Sequence, residues 1–419
     1  MKKAITFLTI IAVVVTSCSK KNNTPVTQQN SGDTTAGISP IKTLQVIGRH
    51  LTDTNGNIIL LRGVNVAFYG GNNSGGTYQN VNPATMSSIA SVVHANATKC
   101  NAVRLLWLSQ TVGGSQYSLS NLESLITAYT NLNLIPVIYL WDITSTGAND
   151  TTGFNNYVVP FWNDANVVAL IKKYQNKVII NLANEWSHTN YNLPSDVTPA
   201  IFVSKYNSLV NQIRTNGINC PIMIDAPDGG TNSPFLIDTG SAIINHDPRK
   251  NILLSTHTYW SRSYDIISAA GCSSDYITKI DAIKNSNLPF VLGEVSNWAD
   301  PSNAVEALVP ISFNCSTIDQ TLNGALTPND PNNPIPDYNN PPASNQNTNI
   351  LFAINYDALL TEAVTDSVGF FAWAWYQDGL TTRCIYNHDN GTTLNTDTRA
   401  GTWPADILST TKIYGLNHP

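Results

Sequence analysis

A chain of 419 residues with 42% hydrophobic and 12% charged residues can bury one large core or two modest ones, and nothing in it suggests disorder over most of its length. A net charge of -6 without a basic stripe excludes nucleic acid as an expected partner. Nine Trp and seventeen Tyr beside abundant Asn, Ser and Thr suit uncharged, polyhydroxylated ligands, although aromatic residues more often fill cores.

Lys2 and Lys3 precede an apolar run from Ala4 to Val15 that is broken only by Thr6 and Thr9. The run is too short to span a bilayer and reads as an export signal. Val15-Thr16-Ser17-Cys18 resembles the lipobox of bacterial lipoproteins, which implies that Cys18 becomes the lipid-bearing first residue of the mature chain and anchors it to a membrane of the cell envelope. A plain secretory peptide with an incidental cysteine is the alternative. Residues 1–18 are therefore assigned to the signal, and 19–43, rich in Asn, Thr, Gln, Ser, Pro and Gly, to a flexible tether. Residues 44–419 are left for one folded domain. Five further cysteines enter an oxidising compartment, an odd number. Cys100 and Cys220 sit before predicted strands and are not expected to reach each other; Cys272 and Cys315 lie in loops after consecutive predicted strands and are the expected disulfide.

The folded part opens with Asn55-Gly56 between apolar flanks, a short hairpin. Apolar, β-branched runs then recur at Ile58 to Val66, Ala102 to Trp107, Ile135 to Trp141, Val178 to Ala183, Ile222 to Asp225, Ile252 to His257, Phe290 to Glu294 and Val368 to Trp375. Most are continuous instead of alternating, as parallel strands covered by helices require. Helical spacing appears at Pro83 to Asn96, Ser120 to Asn131, Asn166 to Tyr174, Ala200 to Asn216, Asp275 to Asn285 and Ile350 to Thr365. Eight strands interleaved with helices predict an α/β fold, a closed (β/α)8 TIM barrel. A doubly wound open sheet is disfavoured because no Gly-rich phosphate fingerprint follows the first strand. From Ala299 to Asn349 the chain is a Pro- and Asn-rich insertion after the seventh strand. It is expected on the face where the strands end. Asp330 and Asp337 within it match no calcium loop.

In such barrels the chemistry lies at the C-terminal ends of strands. The chain has only five glutamates, and two of them, Glu185 and Glu294, close apolar runs, where desolvation makes a carboxylate expensive. Two ion-paired structural carboxylates are the bland alternative. Arg104 lies in the second run, Asn184 precedes Glu185, His257 and Tyr259 end the sixth run, and Trp373 and Trp375 end the eighth. Cleavage of a glycosidic bond needs a proton donor at the leaving oxygen and a carboxylate at the anomeric carbon, which two opposed glutamates supply. Arg104 can hold one of them ionised, Tyr259 can donate a hydrogen bond to it, and Trp375 can offer a flat face to a sugar ring. Six of the nine Trp (Trp107, Trp141, Trp186, Trp260, Trp298 and Trp375) lie near predicted strand ends; Trp375 and Trp141 are assigned to a cleft, and the others stay open between cleft and core.

Leu61-Arg-Gly-Val-Asn65, Arg104 in Val-Arg-Leu-Leu, Val178 to Trp186 with Asn184-Glu185, Met223-Ile-Asp-Ala226, His257-Thr-Tyr259, Gly293-Glu294 and Ala372-Trp-Ala-Trp375 together resemble glycoside hydrolase family 5, closest to its bacterial β-mannanase branch. The resemblance covers roughly residues 45 to 415. It implies Glu185 as general acid and then base, Glu294 as nucleophile, and net retention of configuration. Asn184 would hold the 2-hydroxyl of the sugar, His257 would tune Glu185, and Arg104 with Tyr259 would orient Glu294. No metal or organic cofactor is expected. The expected partner is a β-1,4-linked hexose polysaccharide, mannan ahead of cellulose or glucomannan, and a monomer is expected.

One position departs from the family pattern. A His-Asp pair is usual at the end of the third strand, where this chain has Trp141-Asp142. Trp141 either supplies a stacking platform or swings away from the cleft. Ser187-His188-Thr189 also departs from the mannanase pattern. Two other readings stand beside the hydrolase: a polysaccharide-binding lipoprotein without catalysis, which would have no need of a nucleophile, and a barrel aldolase, which would want a strand-end lysine that this chain lacks.

Overall fold

The computed structural model describes residues 42–66, 83–146, 148–187, 197–260, 272–297, 354, 356–376, 383–387, 390–396 and 400–419. Cys18, the tether up to residue 41, His188, Thr189, Trp298, Cys315 and the 299–349 insertion lie outside them. Among the described residues, no helix is long and apolar enough to cross a membrane.

A small antiparallel sheet comes first, formed by β1 (Gln45–Ile47), β2 (His50–Thr52) and β3 (Ile58–Ile59), with the Asn55-Gly56 turn joining the last two. The run predicted as one strand from Ile58 to Val66 is therefore two. Its second half is β4 (Arg62–Val66), which opens the barrel. β5 (Ala102–Trp107), β6 (Ile135–Leu140), β7 (Ile179–Asn181), β8 (Ile222–Asp225), β9 (Ile252–His257), β10 (Phe290–Val295) and β11 (Gly369–Ala372) follow, and the eight parallel strands close in sequence order.

All six predicted helices are present, Pro83–Asn96 with the expected ends and the other five with shifted ones, among them Leu119–Thr130, capped by Ser118, and Ala165–Tyr174, capped by Asp164. A seventh long helix, Ser233–His246, is absent from the sequence expectations. Asn232 caps it by accepting from the Phe235 N–H, and Pro234 stands in its first turn. Gly240 interrupts its apolar stripe because a Cβ there would lie 2.4 Å from Leu254, so the helix packs on β9 through a bare backbone.

The barrel interior is layered, and the layers place the site. Side chains two apart on a strand face the same way. Ala102, Val137, Ile179, Met223, Leu253, Val291 and Phe371 form one apolar layer, sealed below by Leu44 and Leu51 of the small sheet and by Leu61. Asn251 pins that sheet to the start of β9, accepting from Val46 N–H and donating to the Leu44 carbonyl. Two residues further along each strand the interior turns polar, with Arg104, Tyr139, Asn181, Asp225 and Ser255 all buried. The larger apolar core lies outside the strands, beneath the helices. Cys100 and Cys220 are free and buried, and burial pushes their thiols up to about 12, which makes these two inert packing groups; Cys384 is buried as well.

Candidate active site

Arg104 rises from β5 into the centre of the polar layer. Its guanidinium lies 3.8 Å over the Tyr139 ring and reaches four acceptors. Nη1 donates to Asn65 Oδ1 (3.1 Å) and Glu294 Oε1 (2.5 Å), and Nη2 donates to Asn184 Oδ1 (2.7 Å) and Asp225 Oδ2 (2.9 Å). Burial works against its charge, yet Asp225 and Glu294 more than offset this and raise its pKa further. Arg104 is a permanent cation wedged between two buried carboxylates.

Glu294 reaches the interior because β10 carries one extra residue. Leu292 pairs with Thr256 and Glu294 with His257, so Gly293 bulges out of register. Strict alternation from Val291 would have turned Gly293 inward and Glu294 outward. The bulge brings Glu294 inward as well. A Cβ on Gly293 would stand 2.3 Å from Ser255 Oγ and 3.1 Å from His257 Nε2. Glu185 arrives differently. β7 ends at Asn181, well before the predicted Ala183, and Glu185 sits in the turn beyond with a left-handed φ of 51°. Few non-glycine residues adopt that conformation, and it marks a carboxylate held in place by its surroundings.

His257 joins the two glutamates. Nδ1 lies 2.8 Å from Glu185 Oε1 and 3.5 Å from Glu294 Oε2, while Nε2 lies 3.5 Å from Asp225 Oδ2. Its ring fits between two glycines, since a Cβ on Gly230, whose φ is 76°, would stand 2.4 Å from His257 Cγ. Burial lowers the basicity of the imidazole, but Glu294 and Asp225 outweigh it and push the pKa up to about 10. The same burial raises Glu294 above the ordinary carboxylate range, against the pull of His257, Arg104 and the Tyr259 hydroxyl, which donates to Glu294 Oε2 at 2.6 Å. Asp225 moves the other way, because Arg104 and His257 overcome its burial and hold it well below that range.

One oxygen of Glu185, one nitrogen of His257 and one oxygen of Glu294 all lie within 4.8 Å of one another. Both Glu294 oxygens already accept hydrogen bonds, from Arg104 and Tyr259, and the carboxylates around His257 favour its protonated form, so the set suits proton transfer better than metal ligation. The Glu185 side chain is 17% exposed, against 2% for Glu294, so the first meets solvent and the second does not. Asp281, Glu362 and Asp366 also converge, on the outer helices, where Lys284 pairs with Asp366.

A family description, Cellulase (glycosyl hydrolase family 5), matches residues 53–308. The chain belongs to glycosyl hydrolase family 5. It is similar to the mannan endo-1,4-beta-mannosidase of Cellvibrio japonicus (strain Ueda107), 26% identical over 260 residues, 62% of this chain and 53% of that protein. The corresponding Streptomyces lividans enzyme is 25% identical over 265 residues, 63% of this chain and 61% of that protein. The chain thus spans between half and two thirds of the length of these relatives. In fold it resembles the beta-mannanase from Streptomyces thermolilacinus solved with mannohexaose, with a TM-score of 0.60, 18% identity, and coverage of 90% of this chain and 96% of that one.

Within this family 5 barrel, six of the residues singled out from sequence meet: Arg104, Asn184, Glu185, His257, Tyr259 and Glu294. Trp375 does not join them, and its assignment as a sugar platform is corrected. It is wholly buried, stacked 4.1 Å from Tyr386 at 14°, and its Nε1 donates to the Gly391 carbonyl. Both indoles lie past the end of β11, and it is Trp373 that faces Trp141 at the barrel mouth. Trp141 stays at the barrel mouth, nearly parallel to Trp373 (6.1 Å, 18°) and edge-on to Tyr139, so it has not swung away. Asp142 is buried and accepts from the Ser109 N–H at 2.7 Å, tying the loop after β6 to the loop after β5; burial raises its pKa to about 6.

Trp107 and Trp186 prove to be core, the latter packed with Phe154, Phe202 and Tyr206. Asn65 and Asp225 touch the groups of the site but were not singled out as site residues. Asn65 donates to the Gly293 carbonyl at 3.0 Å and so props the bulge, and Asp225 contacts both Arg104 and His257. A carboxylate ending a buried apolar run was the sign that exposed the glutamates, and it applies equally to Asp225 at the end of Ile222–Asp225.

Gly293→Ala is expected to lower turnover about 100-fold while the protein stays folded, because the new methyl group would stand 2.3 Å from Ser255 Oγ and crowd the His257 ring, displacing Glu294 by a fraction of an ångström or more. Steady-state kinetics beside a thermal melt check this. Parent-like turnover would show that the bulge tolerates a side chain.

Proposed function

We propose that the protein is a retaining, endo-acting hydrolase of β-1,4-linked mannan. The observation that carries the reading is the approach of Glu185 and Glu294 oxygens to within 4.8 Å, a spacing suited to direct attack by a carboxylate and too short to leave room for an intervening water. Glu294 attacks the anomeric carbon. Glu185, the more exposed of the two, protonates the leaving oxygen and then activates the water that hydrolyses the glycosyl ester. Burial makes the negative charge of Glu294 costly, and ester formation removes that charge as the bond forms. Arg104 and Tyr259 aim the attacking oxygens. Asn184 spends its carbonyl oxygen on Arg104 and one amide hydrogen on Thr144, which leaves a second amide hydrogen for the 2-hydroxyl of the sugar. Trp373 takes the place proposed for Trp375 as the flat face at the barrel mouth, beside Trp141.

Mannan is favoured over cellulose by the names of the relatives, mannan endo-1,4-beta-mannosidases. Glucan cleavage is the second reading. It is supported by a further relative named beta-mannanase/endoglucanase A, from Caldicellulosiruptor saccharolyticus, 24% identical over 197 residues, 46% of this chain and 13% of that protein. The lipobox-like Val15-Thr16-Ser17-Cys18 supports an enzyme exported and tethered to the cell envelope through Cys18.

Reducing ends released from β-mannan, glucomannan and soluble cellulose test the proposal, with Glu185→Ala as the blank. The parent is expected to act fastest on mannan, and the variant to lose about 10²- to 10⁴-fold on the same polymer, the usual contribution of a general acid. Equal release by parent and variant would remove Glu185 from the reaction.

A further inference from the structure

Asp225 touches neither end of the reaction proposed above, yet its contacts converge on the groups that do. Its Oδ1 accepts from Asn181 Nδ2 at 2.6 Å. Its Oδ2 accepts from Arg104 Nη2 at 2.9 Å and from the backbone N–H of Glu185 at 3.4 Å, and lies 3.5 Å from His257 Nε2. It is wholly buried. The groups packed around it and His257 are Arg104 from β5, Tyr139 from β6, Tyr206 from the helix Pro199–Thr215, Glu185 after β7, Tyr259 after β9 and Glu294 from β10. Gly230 and Gly293 flank the His257 ring, where a Cβ on either would stand within 3.1 Å of it.

The charges in this box make a simple sum. Glu185, Asp225 and Glu294 are acids, and Arg104 and His257 are the cations that contact them. The form ready to cleave a glycoside carries a proton on Glu185 and none on Glu294. With His257 doubly protonated and Asp225 ionised, that form is neutral overall, the cheapest state for a buried cluster. Without the charge of Asp225, and with Glu185 still carrying its proton, neutrality returns when His257 loses one.

Resting on the glycosidase reading, we propose that Asp225 is a positioning residue that keeps His257 doubly protonated. The Nδ1–H then points permanently at Glu185 Oε1, so the carboxyl proton must sit on Oε2, available to the leaving group. A neutral imidazole with its hydrogen on Nε2 would instead present a lone pair to Oε1 and draw the acidic proton inward. Asp225 thereby decides which oxygen of Glu185 carries the proton without touching the substrate.

Nitrogen NMR of imidazole-labelled full-length protein reads His257 directly and needs no substrate. In the parent, both ring nitrogens are expected to remain protonated from pH 6 to beyond pH 8; a parent His257 that titrates near the ordinary value of about 6.5 overturns the proposal outright. In Asp225→Asn the midpoint is expected to fall by about two pH units or more, while the charge-conserving Asp225→Glu stays near the parent. An Asn variant that stays protonated over the parent's range also overturns it. Kinetics supply the second readout. Asp225→Asn is expected to lose about tenfold or more of kcat on polymer with little change in KM, to bring the alkaline limb of the profile to lower pH, and to recover on a dinitrophenyl glycoside, whose leaving group needs no proton. A loss uniform in pH and blind to the leaving group would make Asp225 merely structural. If the parent cleaves no polysaccharide at all, the function proposed above fails, and the NMR result still decides the protonation of His257.

Discussion

Glu294→Gln is expected to fold as the parent does and to lose on the order of 10⁴-fold or more of kcat, the scale on which enzymes fail when a covalent nucleophile is removed. The amide keeps an oxygen for Arg104 or Tyr259 but has no charge with which to attack the anomeric carbon. Folding should not suffer, because burial already disfavours the ionised form at this position and a neutral side chain escapes that penalty. Two measurements check the result together. A thermal melt should lie close to the parent's, and a 2-fluoro mannoside with an activated leaving group should add one sugar mass to the parent and none to the variant. Labelling of the variant, or parent-like turnover, would take the nucleophile's role away from Glu294.

Arg104→Met should produce the largest loss of stability, about 3–5 kcal/mol, because it leaves Asp225 and Glu294 buried without their shared cation. The sign with pH follows from the shifts. Asp225 is depressed in the folded protein, so its contribution is present above its ordinary value near 3.8 and is lost as pH falls through the lower folded value. Without Arg104 much of that contribution vanishes, and protonating the stranded carboxylates relieves the variant. The difference between parent and variant should therefore be greatest near pH 7 and shrink towards pH 4. His257 works in the opposite direction. Its pKa is raised to about 10, so it stabilises fully below about 6.5 and its contribution fades as pH rises through 10, in both proteins. Urea unfolding at pH 4, 7 and 9 reads the pattern; a deficit that does not change between pH 4 and 7 would mean that the loss is one of packing over Tyr139.

The barrel was legible from sequence because burial on both sides leaves a parallel strand no choice of residue. Continuous apolar runs mark each one, and their ends point to the mouth where Arg104, His257 and Tyr259 were sought. The helix Ser233–His246 was harder to see, since the glycine that lets it lie against Leu254 also weakens the apolar repeat that identifies helices. Trp375 misled for a related reason. An indole near a strand end is equally suited to a cleft or to a loop core, and only its stacking on Tyr386 separates the two.

The amino-acid sequence by itself determined the strand count, the family likeness and the identities of the paired glutamates, because these depend on local burial and on residue type. Tertiary structure alone decided how those glutamates come to face each other. Glu185 does so through a left-handed turn beyond β7, and Glu294 through a bulge that reverses the parity of β10. A one-residue register shift leaves no trace in composition or periodicity, since it is set by how a strand pairs with its neighbours. The same holds for Asp225. Its carboxylate ends an apolar run like theirs, but its meaning comes from residues 121 positions before it and 32 after it, Arg104 and His257, which only the closed barrel brings to its side.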